Sequence, residues 1–120
     1  MKNAFCHVEI PVSDLEKATA FYGGLFDWKV EAIPEMHYVS FDTGAPPGGG
    51  FRKAESAEEG LGVPLNYILV DDVEATLEKA KELGAGKVVV GKTPVPDMGW
   101  FAVFLDPDGN PVAIWQEKSN

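Results

Sequence analysis

The chain has 120 residues, 45% hydrophobic and 24% charged, the make-up of one globular domain that buries about two thirds of its unfolded surface. No apolar run approaches the roughly 20 residues of a membrane span, and residues 1–12 lack the basic start and apolar core of a signal peptide. Nineteen acidic against ten basic residues leave a net charge of −9, which repels phosphate backbones and argues against nucleic acid as a partner.

The single cysteine, Cys6, allows no internal disulfide. That suits a reducing compartment, so the expected location is cytoplasmic, with no membrane partner.

The first strand is predicted at Phe5–Val12, with His7 in its middle. A helix follows, since Ser13 and Glu16 stand at capping-box spacing and Leu15, Ala18, Tyr22 and Leu25 recur at helical period. Gly23 and Gly24 weaken it by about 1 kcal/mol each relative to alanine, marking an early bend or a close approach to a neighbour. Strands at 28–33 and Tyr38–Asp42 follow from β-branched and aromatic content, with a short one near 50–52. GAPPGGG, residues 44–50, is a turn-rich loop without phosphate-binding spacing. KAESAEEGLGV, residues 53–63, is polar and aperiodic and reads as a linker over about 54–63.

Residues 65–70 open the second half as a strand. Asp71 and Glu74 repeat the capping spacing, and Val73, Leu77, Ala80 and Leu83 repeat the helical period, with a stop at Gly84 or Gly86. Strands are predicted at 87–90, 100–105 and 112–116. Between the first two lies TPVPDMG, residues 93–99, a proline-rich loop that is either a lid or, as favoured here, a stiff connector.

The chain is written twice. VSDLE at 12–16 matches VDDVE at 70–74 with an offset of 58 residues, and the same offset sets Leu25 on Leu83, and Lys29 and Val30 on Lys87 and Val88. SFDTG at 40–44 resembles FLDPDG at 104–109. The expected architecture is α+β, a single domain of two tandem βαβββ units, about 1–53 and 64–120.

HVEIPVSD (7–14), FYGGLFDW (21–28) and DPDGNPVAIWQ (106–116), in that order, resemble the vicinal oxygen chelate superfamily. That group includes glyoxalase I, bleomycin-resistance proteins, fosfomycin-resistance enzymes and extradiol dioxygenases. The likeness covers essentially the whole chain and is strongest to small bacterial glyoxalase-related proteins. It implies a curled mixed sheet with helices on the outer face, a half-open apolar cavity and a homodimer.

The resemblance also implies a divalent ion, held by a histidine on the first strand of each unit and a carboxylate or glutamine on the last strand of each. Carried over residue by residue, the first histidine is His7, seven residues before Asp14. The second falls on Leu65, seven before Asp72. The final-strand donor falls on Ala113, and its counterpart in the first unit falls in the glycine run at 48–51. Only His7 keeps a donor, so no metal and no other cofactor is expected. A site rebuilt with Glu9, or with His37 reaching in from a turn, is the less favoured alternative.

Alternation along a strand sends Phe5, His7 and Glu9 to one face, and Cys6, Val8 and Ile10 to the other. His7 therefore cannot serve as base to Cys6. His7 and Glu9 are the candidate catalytic residues, a proton-transferring pair in a dry cavity; the alternative is two polar side chains satisfied by neighbouring strands. Candidate ligand-binding residues are Phe5, Leu65, Tyr67, Trp100, Phe104, Ala113 and Trp115, with Leu69 beside them. On this reading Ala113 and Trp115 point inward, and Trp100 and Phe104 close one wall.

The expected function is binding of a small, largely apolar or aromatic molecule without the full metal-ligand set. The alternatives are a metal-dependent lyase, isomerase or dioxygenase with a rebuilt ligand set, and a dimeric interaction module whose second copy completes the cavity.

Overall fold

A computed structural model describes residues 2–119 of the chain. Among them the elements run β1 (Phe5–Val12), α1 (Leu15–Phe26), β2 (Lys29–Ile33), β3 (Tyr38–Asp42), β4 (Gly48–Lys53), β5 (Leu65–Leu69), α2 (Val73–Glu82), β6 (Val88–Val95), β7 (Gly99–Leu105) and β8 (Pro111–Glu117). Strand, helix and three strands thus occur twice, an α+β fold of tandem βαβββ units. The chain divides into two compact units, one of Cys6–Leu65 and the other of Asn66 onward together with the residues preceding Cys6. No helix among the described residues is long and apolar enough to cross a membrane.

In the first unit the strands lie in the order β2-β3-β4-β1. β2 and β4 both run antiparallel to β3, and β4 runs parallel to β1. Val8, Ile10 and Val12 alternate toward α1, where Leu15, Tyr22 and Trp28 join them against buried Ala18, Val39, Phe41 and Phe51. Trp28 stacks on Phe41 at 4.6 Å and on Tyr22 at 5.3 Å between ring centroids. These stacked rings contribute beyond the area they bury.

Two expectations for α1 are corrected. Its N-cap is Asp14, which accepts from the backbone N–H of Lys17 at 3.0 Å; Ser13 lies one residue too early to reach that amide. The helix also runs unbroken through Gly23 and Gly24 to Phe26, and a Cβ on Gly24 would meet nothing within 4 Å. No neighbour demands glycine there. Leu25 is 60% exposed in the last turn, and Trp28, just beyond the helix, packs against the core.

In the second unit the order is β5-β8-β7-β6, with β5 parallel to β8 and the other pairs antiparallel. Ile68, Val70, Ala102, Val112 and Ile114 face α2 and pack with Val73 and Leu77. Asp72, not Asp71, caps this helix by accepting from Ala75 N–H at 3.0 Å. Gln116 on β8 adds a second tie, its Oε1 accepting from Val73 N–H at 2.8 Å. Two orphan amides at the helix start are thereby satisfied.

The helix stops where predicted. Leu83 is its C-cap, and Gly84 follows at φ +97, the left-handed turn glycine tolerates best. Leu83 has left the helical period and is exposed.

β6 corrects a further expectation. It runs to Val95 and pairs with β7 down to Val95↔Gly99, so residues 93–99 are a hairpin arm and its turn, not a loop. Pro94 sits within this strand because β6 is an edge of its unit's sheet, where a missing N–H breaks no ladder.

Candidate functional site

The face of the first sheet turned away from α1 is built by alternation and register. β1 contributes His7 and Glu9. β4, in register with it through His7↔Gly48 and Glu9↔Gly50, contributes two glycines and then Arg52. β3 contributes Tyr38 opposite Arg52 and Ser40 opposite Gly50. The empty position at Gly50 is what admits Tyr38, since a Cβ there would overlap the phenol ring. The ring lies across the glycine and brings its hydroxyl to 2.6 Å from His7 Nε2.

Beside this pair, Arg52 Nε donates to Glu9 Oε1 at 3.1 Å. Glu9 is only 9% exposed, and a carboxylate that far from water needs such a partner. Burial holds the His7 imidazole below its ordinary value, while the Glu9 charge pulls the other way and is the smaller influence. At neutral pH His7 is therefore an uncharged ring hydrogen-bonded to a phenol.

The structure thus sets His7 and Glu9 on one face, as expected, and gives each a partner that the sequence did not disclose. Tyr38 and Arg52 were missed because β-pairing of residues 31 and 43 positions away carries no local signal. The only hint was the run GGGFR, where side-chain-free positions alternate with Arg52 on one face. His37 ends the short turn Pro34–Met36 at φ 49 and is exposed. Phe5, at the head of β1, is 62% exposed.

On the second sheet, the face turned away from α2 carries Tyr67 and Leu69 from β5 and their partners Ala113 and Trp115 from β8. β7 adds Phe101 opposite Trp115 and Val103 opposite Ala113. Tyr67 and Phe101 meet edge to face at 6.5 Å. Leu65 opens β5 at the same parity as Tyr67 and is half-buried.

Trp100 and Phe104 are corrected. Both lie on the α2 face, packed against the cluster of Val70, Val73, Ala102 and Ile114, and Lys92 Nζ sits 4.9 Å above the Trp100 ring. β7 pairs Trp100 with Gln116 and Phe104 with Val112, which already point to the helix. The expectation was one residue out of phase, and the β7 aromatic on the face turned away from α2 is Phe101. Phe104 instead lines an open recess of about 390 Å³ beside α2, with Leu77, Lys81 and Val88.

Among the described residues no three His, Cys, Asp or Glu side chains converge as metal ligands do. Gly50, Leu65 and Ala113 carry no side-chain donor.

The residues 4–114 match the family model "Glyoxalase/Bleomycin resistance protein/Dioxygenase superfamily". A glyoxylase-like domain-containing protein of Didymella fabae is 32% identical over 116 residues, covering 89% of this chain and 88% of its own. CFP32 of Mycobacterium bovis is 29% identical over 125 residues, covering 91% of this chain, and the chain spans only 44% of that protein. Methylmalonyl-CoA epimerase from Mycobacterium tuberculosis superposes with a TM-score of 0.70 at 13% identity, over 97% of this chain and 89% of its own, a likeness of fold. The doubled βαβββ order, the strand-borne histidine and the family match over nearly the whole length agree: this chain belongs to the glyoxalase/bleomycin resistance protein/dioxygenase superfamily.

Proposed function

We propose that this chain binds a small, largely apolar or aromatic molecule, as a glyoxalase/bleomycin-resistance-like protein without the full metal-ligand set. The observation that carries this reading is the run of aromatic and aliphatic side chains Tyr67, Phe101, Val103, Ala113 and Trp115 on the sheet face turned away from α2. Apolar walls with few polar groups are how small-molecule sites are usually built. Phe5 and Leu65 are proposed as further ligand-binding residues.

The first unit's sheet carries a separate polar pair, His7 and Glu9. Neutral His7 is the group suited to take up a proton from a bound molecule, and Glu9 is suited to stabilise the imidazolium that would result. The partners are then a small molecule and, as the family resemblance implies, a second copy of the chain.

A thermal-shift screen with aromatic and apolar compounds tests the proposal. A ligand at about a hundred times its dissociation constant stabilises by about 2.7 kcal/mol, which moves a domain of this size by several degrees. Substituting Phe101→Ala should abolish that shift. A chemically broad screen with no stabilised member would overturn the reading.

A further inference from the structure

We propose that Tyr38 occupies the place a divalent ion would need on the first unit's sheet, so that this half of the protein is closed to metal by a side chain of its own. The proposal deepens the binding reading above and rests on two contacts. His7 Nε2 is engaged at 2.6 Å by the Tyr38 hydroxyl. The ring behind that hydroxyl fills the volume in which any side chain at position 50 would start.

Position 50 is the place a strand donor would come from. Ala113 pairs with Tyr67 on parallel strands, and Gly50 pairs with Glu9 on parallel strands. Tyr67 and Glu9 correspond at the 58-residue offset of the repeat, so Gly50 and Ala113 are equivalent positions on the two last strands. One is blank and roofed by a phenol, the other is a methyl group.

Glu9, the carboxylate two residues from His7 on the same strand face, is held by Arg52. A cation there would have to displace a phenol from His7 and a guanidinium from Glu9, and it would then find two donors where a stable site needs three or four. The residues do not fit the ion.

This makes Tyr38 the metal's stand-in. A phenol on a neutral imidazole keeps a polar oxygen at the sheet surface, able to take part in a hydrogen bond with an oxygen or nitrogen atom of a bound molecule. It supplies no Lewis acid.

Nickel titration followed by NMR of the histidine rings tests it directly. His7 and His37 are the only histidines, and His37→Gln identifies the His7 signals. In the wild-type protein those signals should stay sharp through one equivalent of nickel, and equally in Tyr38→Phe, which keeps the ring over Gly50. In the double variant Tyr38→Ala with Gly50→Glu, shown to be folded by its backbone spectrum, they should broaden, with nickel held roughly tenfold or more tighter than in wild type.

Broadening of His7 at substoichiometric nickel in wild type or in Tyr38→Phe would overturn the proposal. So would a folded double variant that binds nickel no better than wild type. If the double variant does not fold, the first two proteins still decide. None of these outcomes depends on the compound screen, so failure of the binding reading is told apart from failure of this one.

Discussion

His7 links charge state to stability in a direction its surroundings dictate. Its folded-state value lies below the ordinary one because burial disfavours the imidazolium. As pH falls past about 6.5, the unfolded chain takes up this proton before the folded chain does, so stability falls until the lower folded value is reached and then levels off. Thermal melts between about pH 7 and pH 5 should show this loss, and His7→Gln should lack the corresponding component. An identical profile in both proteins would contradict it. Gly50 makes a second case at this scale. Gly50→Ala drives a methyl into the Tyr38 ring, and overpacking of that kind costs about 1–3 kcal/mol in denaturant unfolding.

Among the elements, the helix caps give the sharpest contrast. Asp14→Ala and Asp72→Ala each remove a carboxylate that accepts from an amide three residues on, and each should cost about 1 kcal/mol. Ser13→Ala should lie within about 0.5 kcal/mol of wild type, as surface changes away from such features do. Urea unfolding of the three variants checks the assignment, and a larger loss at Ser13 would return the cap to that residue. In the same helix Gly24→Ala should stabilise by about 0.5–1 kcal/mol, because the site is open and helical.

The whole chain holds two compact units of one design, the first with His7, Glu9, Tyr38 and Arg52 on the face turned away from its helix. The prediction at this scale separates Phe101 from Trp100. Phe101→Ala should remove ligand-induced stabilisation with a modest loss of intrinsic stability. Trp100→Ala should lower the melting temperature of the ligand-free protein, since the indole packs with the α2 cluster and under Lys92, at a cost of about 3 kcal/mol, the low end for an aromatic-to-alanine change because the ring is partly buried. It should leave the shift on adding ligand in place. The opposite pattern in a thermal-shift assay would restore the original assignment.

The repeat, both helices and most strands were legible because each depends on spacing within a dozen residues: a period of 3.6, a period of 2, a cap three residues from its amide. The parity of β1 was legible for the same reason, which is why His7 and Glu9 were correctly set on one face. Only tertiary structure decided that Tyr38 lies on Gly50 and bonds His7, that Arg52 neutralises Glu9, and that Phe101 rather than Trp100 faces away from α2. Those facts depend on register between strands distant in the chain, and register is set by the packing of whole faces, which no local spacing encodes.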